Sequence, residues 1–140
     1  MKTLFCLCLL LGATARTLAA DDARQIEGNW KPTAAEIAGQ PMPPAALQSI
    51  AMTLAGGKYT VTAEGHPDIG TYTLDTSTTP KGMTVTGTEG PNQGKTFPCI
   101  YALDGDTLKI CYDLSGQARP TEFKTKPGTL LYCATYRRVK

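Results

Sequence analysis

Between Gly28 and the C-terminus, short stretches of alternating apolar and polar residues recur, separated by Gly, Pro, Asp and Asn. Lys58–Ala63 puts Tyr59, Val61 and Ala63 on one side and Lys58, Thr60 and Thr62 on the other. Gly70–Leu74 repeats the pattern with Tyr72 and Leu74, and Met83–Gly87 repeats it with Met83 and Val85. A period of two is that of a strand with one buried face, and the threonine-rich sides are the faces expected in water. Two more alternations flank Asp104-Gly105-Asp106 and predict a hairpin over Thr96–Tyr112. With all three residues in the loop, Cys99 faces Cys111, and Ile100, Ala102, Leu108 and Ile110 share the apolar face expected in the core. Cys99 and Cys111 are then candidates for a cross-strand disulfide, which a register one residue different would separate. Pro120–Thr125 and Thr129–Arg137 add two strands joined by Lys126-Pro127-Gly128, and Tyr132, Ala134 and Tyr136 share one face of the last. The one helix predicted is Pro43–Ser49, with proline tolerated in its first turn. It follows Gly39–Pro44, a stretch too rich in proline for a central strand. Seven to nine short strands with one short helix near the N-terminus form an all-β antiparallel sheet, and closure into a barrel hides its edges.

Met1–Ala20 has a different pattern. Lys2 precedes an apolar run over Leu4–Leu11 and then small residues, the three parts of a secretory signal peptide, with cleavage expected after residue 15 or 20. The run is shorter than the roughly 20 apolar residues that span a bilayer. The expected product is a single domain over 21–140, exported to the periplasm or beyond, with no transmembrane span. Lys2 and Arg16 account for the basic excess of 14 over 12, so the remainder carries 12 basic and 12 acidic residues. That balance argues against nucleic acid held by bulk charge. The remainder also holds 18 threonines against eight leucines, which favours strands over a helix bundle. Cys99, Cys111 and Cys133 are odd in number: either all three are buried thiols or one intramolecular bridge leaves one over. No C-x-x-C occurs and the sole histidine, His66, is distant in sequence, so no metal site is expected.

Candidate chemistry is sparse. His66 lies in Glu64-Gly65-His66-Pro67-Asp68, a turn by composition, and Asp104-Gly105-Asp106 lacks the rest of a calcium loop. There is no G-x-S-x-G, phosphate-binding loop or H-E-x-x-H, so neither catalytic residues nor a cofactor are expected. Arg119 and Glu122, with Asp113 upstream, either bind a polar ligand group or form an ion-pair network that fixes the connection between strands. Tyr59, Tyr72, Tyr132 and Tyr136 are the candidate interior. They either wall a site for a small hydrophobic or amphipathic ligand or fill the barrel, and at this size the filled core is the expectation.

Gly28-Asn29-Trp30 is a G-x-W at the start of the first strand. It resembles lipocalins and related calycin barrels, in which this tryptophan closes one end of the barrel under an arginine from the last strand. Arg137 and Arg138 stand where such an arginine would be. Gly70–Asp75 with Pro80-Lys81, Ile100–Tyr112 and Arg119–Phe123 complete a resemblance, over about residues 26–138, to a family of exported lipocalin-like domains abundant in planctomycete bacteria. The resemblance implies a lipocalin-like barrel with Gly28, Trp30 and Arg137 in structural roles, and it carries no activity. The expected function is an exported, non-catalytic module that binds a small ligand or acts in the envelope. The alternative is a small barrel that inhibits a secreted protease through its N-terminal segment, Asp21–Ile26.

Overall fold

Three of the connections between alternating segments are two-residue turns, and they set the register of the strands they join. Gly56-Gly57 links Ile50–Ala55 to Lys58–Ala63, Glu64-Gly65 links the latter to His66–Asp75, and Gly105-Asp106 links Thr96–Asp104 to Thr107–Asp113. The computed structural model describes residues 21–140, and the signal peptide expected over Met1–Ala20 lies outside the described residues. In chain order the strands are β1 (Gly28–Ile37), β2 (Gln40–Pro41), β3 (Ile50–Ala55), β4 (Lys58–Ala63), β5 (His66–Asp75), β6 (Lys81–Glu89), β7 (Thr96–Asp104), β8 (Thr107–Asp113) and β9 (Leu131–Arg138). Helix α1 (Pro44–Gln48) stands between β2 and β3. From β3 to β9 each strand pairs antiparallel with the next. β1 pairs with β3 on one side and β9 on the other, so eight strands close into a barrel and β2 is a short strip on β1. The chain is an all-β, calycin-like antiparallel barrel.

Alternation decides which side chains enter. Met52 and Leu54 of β3, Tyr59 of β4, Tyr72 of β5, Met83 and Val85 of β6, Phe97, Cys99 and Tyr101 of β7, Leu108 and Ile110 of β8, and Ala134 and Tyr136 of β9 form one buried cluster. α1 packs on β1 and β3, whose direct pairing stops at Trp30↔Met52, and it buries Leu47 there. Its position agrees with the helix predicted over Pro43–Ser49.

Pro120–Thr125 is not a strand. Residues 114–130 are a strap of turns and bends between β8 and β9. Side chains, not a ladder, hold it. Asp113 accepts hydrogen bonds from Ser115 N–H (3.0 Å), Ser115 Oγ (2.6 Å), Gln117 N–H (3.1 Å) and Ala118 N–H (2.8 Å). Arg119 donates through Nη1 to the carbonyl oxygens of Met83 (2.7 Å) and Cys99 (2.6 Å), and through Nη2 to Thr84 Oγ1 (3.1 Å). Thr125 Oγ1 donates to Glu36 and accepts from Gly39 N–H.

The two ends of the barrel differ. At one end residues 21–25 are helical and Ile26 is fully buried. The buried Asp22 accepts from Tyr101 Oη (2.6 Å) and pairs with Lys81 Nζ (2.8 Å), and Trp30 Nε1 donates to the Ile26 carbonyl (2.9 Å). The opposite end carries the β4–β5 turn, the β6–β7 loop and the root of the strap. The cavity is there.

Candidate functional site

A cavity of about 240 Å³ occupies the upper half of the barrel. Tyr59, Tyr72, Tyr132 and Tyr136, the four tyrosines assigned to the interior from sequence, all line it. They come from strands β4, β5 and β9, whose inward positions meet because β9 closes on β1 and β1 on β3. The interior is therefore hollow where a filled core was expected. The reason is geometric: the bulky side chains Trp30, Ile26 and Tyr101 sit at the closed end, and the aromatic rings of the upper half stand around the space. Gly70 lies opposite Tyr59, and a β-carbon there would come within 2.5 Å of the Tyr59 ring. This glycine lets the ring lie against the β5 backbone.

Most of the wall is apolar, from Ile50, Met52, Leu54, Val61, Val85 and Phe97. Two polar clusters interrupt it. Near the mouth, Asp68 accepts from Asn92 Nδ2 (2.8 Å), Asn92 N–H (3.3 Å) and the Tyr59 hydroxyl (3.4 Å). On the β8–β9 side the Tyr112 and Tyr136 hydroxyls meet at 3.4 Å, and the Tyr112 and Tyr132 rings stack with centroids 5.4 Å apart. Burial, with the nearby Asp68 carboxylate, pushes the Tyr59 pKa up to about 12. Burial likewise raises Tyr72, Tyr112, Tyr132 and Tyr136. These phenols stay neutral around neutral pH and offer hydroxyls as donors or acceptors without adding charge. Among the described residues, no buried polar side-chain atom lacks a partner.

The other residues singled out from sequence fall away from this cavity. Trp30 is fully buried at the closed end. The arginine over it is Arg138, not Arg137: its guanidinium carbon lies 4.4 Å from the ring centroid, and Arg138 is the strand partner of Trp30. Arg137 is exposed opposite Lys31. Alternation along β9 separates the two, since the face that carries Tyr132, Ala134 and Tyr136 next reaches Arg138. Gly28 has φ +136°, and a β-carbon there would stand 2.8 Å from Arg138 Nη1, so the glycine admits the arginine.

Arg119 fixes the strap, but through backbone carbonyls and Thr84, and the expected ion-pair network with Glu122 and Asp113 does not form. Glu122 is exposed, 4.0 Å from Lys126. The disulfide joins Cys111 to Cys133 across β8 and β9, and Cys99 is free and buried. The Cys99–Cys111 pairing fails because the β7–β8 loop has two residues, not three. Gly105 takes φ +58°, Asp104 pairs with Thr107, and Cys111 lies opposite Ile100. Cys99 thus faces the interior with Leu108 and Ile110. Ile100 and Cys111 face outward and are buried beneath the strap, where Cys111 Sγ lies 3.9 Å from the Lys124 carbonyl oxygen. Burial raises the pKa of the Cys99 thiol, which disfavours the thiolate form. His66 is exposed at the start of β5. Within Asp21–Ile26, Asp22 and Ile26 are buried against the barrel and the other four residues are exposed, so those two would have to leave it for the segment to enter a protease cleft.

Sequence reading missed Asp68 and Asn92 as cavity residues, because both sit in segments whose composition signals turns. It also missed Tyr112, although alternation puts it on the same face of β8 as Leu108 and Ile110, which were expected in the core. No family model matches the chain, and neither a curated protein nor a solved structure matches it. Among the described residues, no helix is long and apolar enough to cross a membrane, and no group of three or more His, Cys, Asp or Glu could hold a metal ion.

Proposed function

We propose that this protein is an exported, non-catalytic barrel that binds a small hydrophobic or amphipathic molecule in its tyrosine-walled cavity. The observation that carries the reading is the cavity itself: about 240 Å³, apolar over most of its wall, with hydroxyl and amide groups at two places. Small-molecule sites are characteristically concave and apolar with a few placed polar groups, and this one is somewhat smaller than the usual range for drug-sized ligands, so it suits a smaller guest. Export rests on the leader pattern of Met1–Ala20.

The test has two parts on one preparation. An organic extract of the purified protein, analysed by mass spectrometry, is expected to release a small molecule in near-equal ratio to protein. Alternatively, the emptied protein gains several degrees in Tm with members of a panel of small lipophilic compounds. No extractable molecule together with no Tm shift across the panel overturns the reading.

A further inference from the structure

Among the described residues that line the cavity, Asp68 alone carries a formal charge, and no lysine, arginine or histidine lines it. Asp68 is half-buried on β5, and no ion pair among the described residues reaches it. Its three hydrogen-bond donors, two from Asn92 and one from Tyr59, are all neutral, and those from the Asn92 backbone and Tyr59 are long at 3.3 and 3.4 Å. The carboxylate retains acceptor capacity toward a stronger donor. A negative group at the edge of an apolar space penalises anionic guests and favours a cation that can pair with it. The surrounding rings act in the same direction, because the face of an aromatic ring attracts cations. Tyr59, Tyr72, Phe97, Tyr112 and Tyr132 all border the same space.

Resting on the ligand-binding reading above, we propose that the cavity selects a small apolar ammonium, with its charged nitrogen on Asp68 and its hydrocarbon among the tyrosines. Size bounds the hydrocarbon. An apolar protein cavity of about 150 Å³ accepts benzene, so about 240 Å³ accommodates one aromatic ring with a short arm or an alkyl chain of similar volume. The arm lets the nitrogen approach the mouth while the ring sits deeper.

Three probes of one shape separate charge from hydrophobicity: phenethylamine, phenethyl alcohol and phenylacetate, titrated calorimetrically into the protein near neutral pH. The amine is expected to bind about tenfold or more tighter than the alcohol, and phenylacetate weakest. Asp68→Asn is expected to abolish the advantage of the amine over the alcohol measured in the same variant, whatever affinity the alcohol keeps there. Alcohol binding as tight as amine binding would overturn the cation preference while leaving the cavity reading intact. An amine preference that survives Asp68→Asn would remove Asp68 as the partner. Failure of all three probes to bind counts against both readings. The wild-type ranking decides the cation preference even if Asp68→Asn does not fold.

Discussion

Arg138 gathers several parts of the closed end onto one side chain. Its guanidinium stacks on Trp30, donates to the carbonyl oxygens of Glu27 (2.6 Å) and Gln25 (2.5 Å), and pairs with Asp106 at 3.2 Å. One planar group thereby ties the N-terminal turn, β1, the β7–β8 turn and β9 at the closed end, a task suited to the five donors of arginine. Arg138→Ala is expected to cost about 2 kcal/mol in a denaturant melt, from the lost stacking on Trp30 and the lost charge-assisted hydrogen bonds. Arg137→Ala, on an exposed side chain, is expected to stay within about 0.5 kcal/mol of wild type. Equal effects of the two substitutions would contradict this assignment. The G-x-W was legible in the sequence because glycine and tryptophan at that spacing have a physical task. The choice between two adjacent arginines was not, because it depends on the phase of the last strand against the barrel axis.

At the scale of elements, the strap over residues 114–130 accounts for most of the difference between reading and structure. Its alternating segment, Pro120–Thr125, has the composition of a strand, but Asp113 and Arg119 supply the hydrogen bonds that a ladder would have supplied. Burial acts to raise the Asp113 pKa, but the hydrogen bonds from Ser115, Ala118 and Gln117 outweigh it and hold the carboxyl below its ordinary value. A depressed carboxylate pKa contributes stability above the unfolded value of about 3.9, and the contribution is lost as pH falls through the folded value. Asp113→Asn is accordingly expected to lower stability by about 1–3 kcal/mol in urea melts at neutral pH, with the difference shrinking below about pH 4. A variant as stable as wild type at neutral pH would contradict this role. Elsewhere the alternations of β4, β5, β6 and β8 were legible because most of their outward positions are polar, whereas β7 has apolar residues on both sides, and its expected core residues Ile100 and Ala102 face outward while Cys99 and Tyr101 face in. β3 was not read, since its outward Ala51 and Ala55 blur the period, and β1 was read only at Trp30, since its register shifts between Pro32 and Ala34.

At the scale of the whole molecule, the chain builds a barrel plugged at one end and hollow toward the other. The plug comes from its own N-terminal turn, Trp30 and Arg138. The hollow comes from aromatic side chains that stand around the axis and leave about 240 Å³ between them. Composition shows the aromatic residues but not whether they meet, because a cavity depends on how far each ring reaches across a closed sheet. The four tyrosines assigned to the interior were therefore identifiable, and the space between them was not. The most direct test of the cavity as a binding site is calorimetric titration of phenethyl alcohol into the wild-type protein and into Val61→Phe, which adds a ring at a lining position. Saturable one-to-one binding to the wild type, with affinity at least about tenfold weaker in a folded Val61→Phe protein, is the predicted result. Undetectable binding to the wild type, or equal binding to both proteins, would contradict it.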